Sequence, residues 1–122
     1  MVGKPVDFDA DADAISAVEY LLGALGADLV NGLAAVARRR RVDLDRVEAT
    51  VEGRLDNALT HLAVEGEAGH PGLAQATVKL YVSSPSPEAD IRAAWDETLR
   101  LSPLARTLRD SVQLDLTLQL VP

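Results

Sequence analysis

Hydrophobic positions along the chain follow two different periods, and the change between them marks out the elements. Ile15, Val18, Leu22, Leu25, Leu29, Leu33 and Val36 recur at steps of three or four, which predicts one apolar side of a helix over residues 14–41. Its ends agree with that assignment. Asp11 and Asp13 stand at the positive end of the macrodipole, and Arg38, Arg39, Arg40 and Arg41 stand at the negative end. At ~1.5 Å per residue such a helix is about 40 Å long, enough to cross a small domain. Its other side carries Gly23, Gly26, Ala27, Val30, Ala34 and Ala37, small residues that let a second backbone approach. The helix is therefore expected to be buried on more than one side. Residues 1–13 are acidic and weakly patterned, the alternation of Asp with Ala from Asp9 to Ala14 has no apolar face, and the segment reads as an acidic lead-in.

From Val47 the period becomes two, as in a half-buried strand: Val47, Ala49, Val51 and Leu55 are expected to face inward, with charged residues between them. Residues 56–72 hold His61, Gly66, Gly69, His70 and Pro71 without a lasting period and read as a loop, with one helical turn around 58–62. Ala76, Val78, Leu80 and Val82 give a second one-sided strand. Ser86-Pro87-Glu88 reads as an N-cap, a first-position proline and a first-turn acid. It opens a helix with Ile91, Ala94, Trp95, Thr98 and Leu99 on one face. Ser102-Pro103 repeats the signal and starts a short helical piece to about Arg109. Val112, Leu114, Leu116, Leu118 and Leu120 form a third alternating strand. The order is αββαβ, an α+β fold, with 14–122 as a single domain. Within such a chain the small-residue side of the first helix has no evident cover, so a partner subunit is the natural one.

Composition narrows the classes of function. With 48% hydrophobic residues in regular patterns, the 122-residue chain is expected to fold rather than remain disordered. A net charge of −7 repels phosphate, which argues against nucleic acid and anionic membranes as partners. No long apolar run is free of charge, and an acidic start is unlike a signal peptide, so a cytoplasmic location is expected. The absence of cysteine excludes disulfides, thiolate catalysis and Cys-ligated metals. His61 and His70 match no metal motif; neither a metal nor a cofactor is expected.

Three segments together resemble the OsmC/Ohr family. They are Val18-Glu19-Tyr20-Leu21-Leu22-Gly23-Ala24-Leu25-Gly26-Ala27-Asp28; the basic helix end with Val42-Asp43-Leu44-Asp45-Arg46-Val47-Glu48 and Val51-Glu52-Gly53; and Ser102-Pro103-Leu104-Ala105-Arg106-Thr107-Leu108-Arg109. The resemblance spans roughly residues 18–120. It implies an intertwined homodimer with a long central helix packed on an antiparallel-rich sheet. It also implies thiol-dependent reduction of organic hydroperoxides by two cysteines, one in the central helix and one before the proline of the late turn. Here those positions hold Asp28 and Ser102. A peroxidatic thiolate must form a sulfenic acid and a second thiol must resolve it, and oxygen at either point has no comparable cycle. The family's supporting arginine, carried by an N-terminal strand region, has no counterpart in the dozen residues before the helix. The supporting acid of the peroxidase branch, one position before Glu19, is replaced by Val18.

Asp28 is the lone charge on an apolar helix face, with Asn31 one turn away and able to bond to it. It reads as a solvated or internally bonded carboxylate, or as a repurposed acid/base. Ser102 most simply caps the turn that follows it. Arg106, with Arg109, flanks that turn as a candidate for an anionic ligand group or for pairing with acids. Trp95 is a core residue or a pocket wall, and Glu19 a candidate pocket residue. The arginine cluster at 38–41 reads as a solvated helix end.

Three functions stay open at this point. One is a redox-inactive OsmC-like homodimer whose former hydroperoxide pocket binds a small, largely apolar ligand or serves only for assembly. Another is a non-redox enzyme using Asp28 as general acid/base. The last is a subunit of a heteromeric complex whose partner supplies the missing strands.

Overall fold

The computed structural model describes residues 13–55 and 72–122. The acidic lead-in, His61, His70 and nearly all of the expected loop lie outside the described residues. The elements are α1 (Asp13–Arg40), β1 (Arg46–Leu55), β2 (Leu73–Ser83), α2 (Glu88–Leu101), α3 (Pro103–Leu108) and β3 (Gln113–Leu120). This is an α+β fold in the expected order, with α3 as the short helical piece before the last strand.

β2 is the centre of the sheet. It pairs antiparallel with β1, Val78 opposite Val51, and parallel with β3, Val78 opposite Leu116. The sheet is mixed because the β2–β3 connection runs through α2 and α3, a crossover that returns the chain in the same direction. Period-two patterning puts Ala76, Val78, Leu80 and Val82 on one face, and all four are fully buried. Against them lie the α1 residues Leu25, Leu29 and Leu33, with no exposed surface, and Ile91, Ala94 and Trp95 from α2. Burying each such leucine contributes about 2 kcal/mol. Ala17–Arg40 is long and apolar enough to cross a membrane by length and composition. Those three leucines nevertheless give it the role of the central core helix.

Three expectations need correction. The small-residue side of α1 has part of its cover within the chain: β1 comes so close that a Cβ on Gly26 would sit 2.7 Å from Val51 Cγ2. α2 approaches Gly32, whose added Cβ would meet Thr98 Cγ2 at 3.3 Å. What remains exposed is a strip with Leu21, Ala24, Ala27, Asn31, Ala34 and Ala35, of which Ala27 and Ala34 belong to that small-residue side. Ala49, expected to face inward, is also exposed, and it lines an open cleft between α1 and β1. Ser86 does not cap α2, whose N-cap is Pro87 without a side-chain bond. Its hydroxyl accepts from the Asp43 N–H at 3.1 Å and fastens the β2–α2 turn to the α1–β1 turn.

The far end of α1 closes without glycine. Arg41 is left-handed (φ 59°), Val42 N–H donates to Ala37 O at 2.8 Å, and Arg41 N–H donates to Arg38 O at 3.3 Å. This is a Schellman closure, with Val42 and Ala37 both buried beneath it.

Candidate functional site

The site begins with a turn that ends one helix and starts another. Ser102 (φ −66°, ψ 118°) is extended, as a residue before proline must be. Its N–H donates to Thr98 O at 2.9 Å and ends α2, while its carbonyl accepts from Arg106 N–H at 3.0 Å and begins α3. Pro103, at the first helical position, has no N–H to leave unsatisfied. The Ser102 hydroxyl accepts from Ala105 N–H at 3.1 Å, the N-cap bond.

That bond leaves the hydroxyl hydrogen free to donate, and it goes to Asp28. The Ser102 Oγ–Asp28 Oδ2 distance is 2.5 Å, within the range of charge-assisted O–H···O⁻ bonds. The Leu104 N–H, another unpaired donor of the α3 start, points to the same oxygen at 3.4 Å. Asp28 is half-buried and Ser102 is 4% exposed. The carboxylate thus bridges α1 to the α2–α3 junction and uses one oxygen to satisfy the helix start. Sequence adjacency offers no base for Ser102, yet the fold brings a carboxylate to it across 74 positions. The hydroxyl is nonetheless a poor nucleophile, since it is buried and its oxygen already serves the cap.

Other candidates fall elsewhere. Asn31 is exposed and lines a cleft of about 550 Å³ between α1 and β1, with Gly26, Ala27, Val30, Val47 and Val51. Asp28 takes its described bonds from the α2–α3 junction instead. Glu19 is exposed nine residues before Asp28, roughly 13 Å along the axis. Trp95 is 5% exposed in the core and lines none of the clefts described in this structure. Arg106 lines a cleft of about 260 Å³ with Leu99, Ala105, Arg109, Leu114 and Leu116. No group of acidic or histidine residues suited to a metal occurs among the described residues.

The arginine cluster is more than a solvated helix end. Arg39 Nη2 meets Glu97 Oε2 at 2.8 Å, and Arg40 Nη2 meets Glu97 Oε1 at 2.9 Å. These hydrogen bonds, Arg39 first and then Arg40, hold the Glu97 carboxyl below its usual range. The cluster ties the C-terminal end of α1 to α2.

A family model described as OsmC-like protein matches residues 10–117. Among solved structures the chain is similar to the OsmC like protein from Mycoplasma pneumoniae, with TM-score 0.72 and 19% identity over 86% of this chain and 71% of that one. It is similar to an organic hydroperoxide resistance protein OsmC from Legionella pneumophila, with TM-score 0.58 and 17% identity over 81% of this chain and 65% of that one. A third is the organic hydroperoxide resistance protein OhrB of Bacillus subtilis, with TM-score 0.55 and 16% identity over 83% of this chain and 67% of that one. At such identities the likeness is one of fold. Among curated proteins none matches in sequence.

Proposed function

The chain belongs to the OsmC-like protein family, and from that premise we propose that it is a redox-inactive, cytoplasmic, homodimeric member. Its former hydroperoxide pocket, at the dimer interface, binds a small, largely apolar ligand or serves only for assembly. One observation carries the reading: where the resemblance calls for two sulfurs, the chain has two oxygens bonded to one another at 2.5 Å. A serine hydroxyl and a carboxylate cannot cycle through sulfenic acid and disulfide. The pair supports helix packing instead. The exposed strip of α1, with Leu21, Ala24, Ala27 and Ala35, supports a second copy as its cover. Incubation with an organic hydroperoxide and a dithiol reductant is expected to give no turnover above the enzyme-free control, and sustained turnover would overturn the reading. Sedimentation velocity tests the dimer, which Ala27→Glu is expected to dissociate.

A second reading has one feature in its favour. Both described bonds to Asp28 reach Oδ2, and Oδ1 has no hydrogen-bond partner among the described residues. An open carboxylate oxygen suits proton transfer on a bound substrate. Asp28→Asn would abolish any such turnover while keeping the Ser102 contact.

A further inference from the structure

We propose that the cleft bounded by α2, α3 and β3 binds an amphiphilic carboxylate, with Arg106 and Arg109 holding the carboxylate and Leu99, Leu114 and Leu116 holding a short hydrocarbon tail. This goes beyond the binding reading above, because neither Asp28 nor Ser102 lines this cleft.

The cleft begins one turn along α3 from the Ser102 hydroxyl. Its floor comes from the period-two pattern of β3: Leu114 and Leu116 lie on the inner face of the sheet, yet both are only half-buried, as is Leu99. Inner-face leucines left short of full burial retain apolar surface for a ligand to cover. Arg106 and Arg109 are three apart on the helix, so both project over the same opening. Both are exposed. Arg106 has no ion pair among the described residues, and Arg109 has one with its neighbour Asp110 at a loose 3.9 Å. Two available guanidiniums in a chain of net charge −7 are a local reversal of sign, and their fork geometry matches a carboxylate. Among the described residues no acidic side chain lines this cleft.

The contrast with the cleft at the end of α1 supports the choice. That one, about 460 Å³, also has two arginines, Arg38 and Arg41, but Asp43 lines it beside them. The negative end of a long helix lies there as well. The space of about 260 Å³ at α3 is small for a drug-sized ligand and suits a short tail.

Octanoate is the probe, with octan-1-ol as the tail without the charge and acetate as the charge without the tail. Titration calorimetry of the intact chain, followed by amide shifts in NMR, is expected to show saturable octanoate binding with shifts at Leu99, Ala105, Leu114 and Leu116. Octan-1-ol and acetate are expected to bind at least about tenfold more weakly. Arg106→Gln with Arg109→Gln, both at exposed positions, is expected to weaken octanoate about tenfold while leaving octan-1-ol unchanged. Equal binding of octanoate and octan-1-ol, unaltered octanoate affinity in the double variant, or shifts elsewhere on the surface would overturn the proposal. Hydroperoxide turnover alongside arginine-dependent octanoate binding would sink the redox-inactive reading alone. An inert chain that ignores octanoate would sink this inference alone.

Discussion

The Ser102 hydroxyl donates to Asp28 Oδ2 at 2.5 Å while accepting from Ala105 N–H at 3.1 Å. One oxygen thereby caps α3 and anchors it to the middle of α1. The resemblance places the family's reactive sulfurs at these two positions, so the geometry that suits a redox pair here supports a fold.

Ser102→Ala removes both bonds at once. Loss of an N-cap costs about 1 kcal/mol, and loss of a bond to a half-buried carboxylate adds about 1–2 kcal/mol. Urea unfolding is expected to show a combined loss of about 2–3 kcal/mol with an unchanged slope, since the surface exposed on unfolding stays the same. A change under ~0.5 kcal/mol would mean that the contact is incidental.

Much of the fold could be read from the sequence because burial imposes a period: Leu25, Leu29 and Leu33 on α1 and Val78, Leu80 and Val82 on β2 are all fully buried. The direction of β3 beside β2 could not, since alternation is the same in parallel and antiparallel strands. Nor could the cover of Gly26 by Val51, which depends on where β1 crosses α1. For the site, the resemblance implies that positions 28 and 102 lie together, since the family's two sulfurs there must meet. Neither spacing nor charge tells that they touch, because their contact spans 74 positions. The Leu104 N–H was beyond reach altogether, since a backbone donor leaves no trace in residue type. Arg39 and Arg40 looked solvated because their acceptor, Glu97, is on another helix.

The Glu97 cluster predicts a pH signature. Hydrogen bonds from Arg39, then Arg40, lower the folded-state value of this carboxyl below its ordinary 4.5. Its contribution is therefore fully present above about 4.5 and is lost as the pH falls through the lower folded value. The stability difference between the native chain and Glu97→Gln is expected to be constant from pH 7 to 5 and to shrink below 4.5. It is also expected to diminish at high salt, since the arginines are exposed. A difference independent of pH would assign Glu97 a packing role only.

Arg41 occupies a left-handed position, φ 59°, that a Cβ disfavours. Arg41→Gly relieves that strain and retains both backbone bonds of the closure. Part of the gain is offset by the entropy of glycine in the unfolded chain. A net stabilisation of about 0.5–1 kcal/mol is expected in thermal or urea unfolding. Destabilisation would show that the Arg41 side chain has a compensating role.

The last prediction asks whether the scaffold keeps the geometry of a thiol pair. In the double substitution Asp28→Cys with Ser102→Cys, one sulfur takes the place of Ser102 Oγ and the other that of Asp28 Cγ, one bond behind the oxygen now 2.5 Å away. Forming an S–S bond of ~2.05 Å requires the two sulfurs to close by about 1 Å, within the reach of small rotamer changes. Oxidised glutathione is therefore expected to remove both thiols from titration within one chain. Closing the long loop between them is expected to stabilise the oxidised form over the reduced one by up to about 4 kcal/mol. Disulfide formation would mean that the native chain lacks redox chemistry because of which atoms it carries, with their placement intact. Two thiols that stay titratable under oxidant would mean that the placement has been lost as well, and that the Asp28–Ser102 bond is a new feature of this chain rather than a substitute for an older pair.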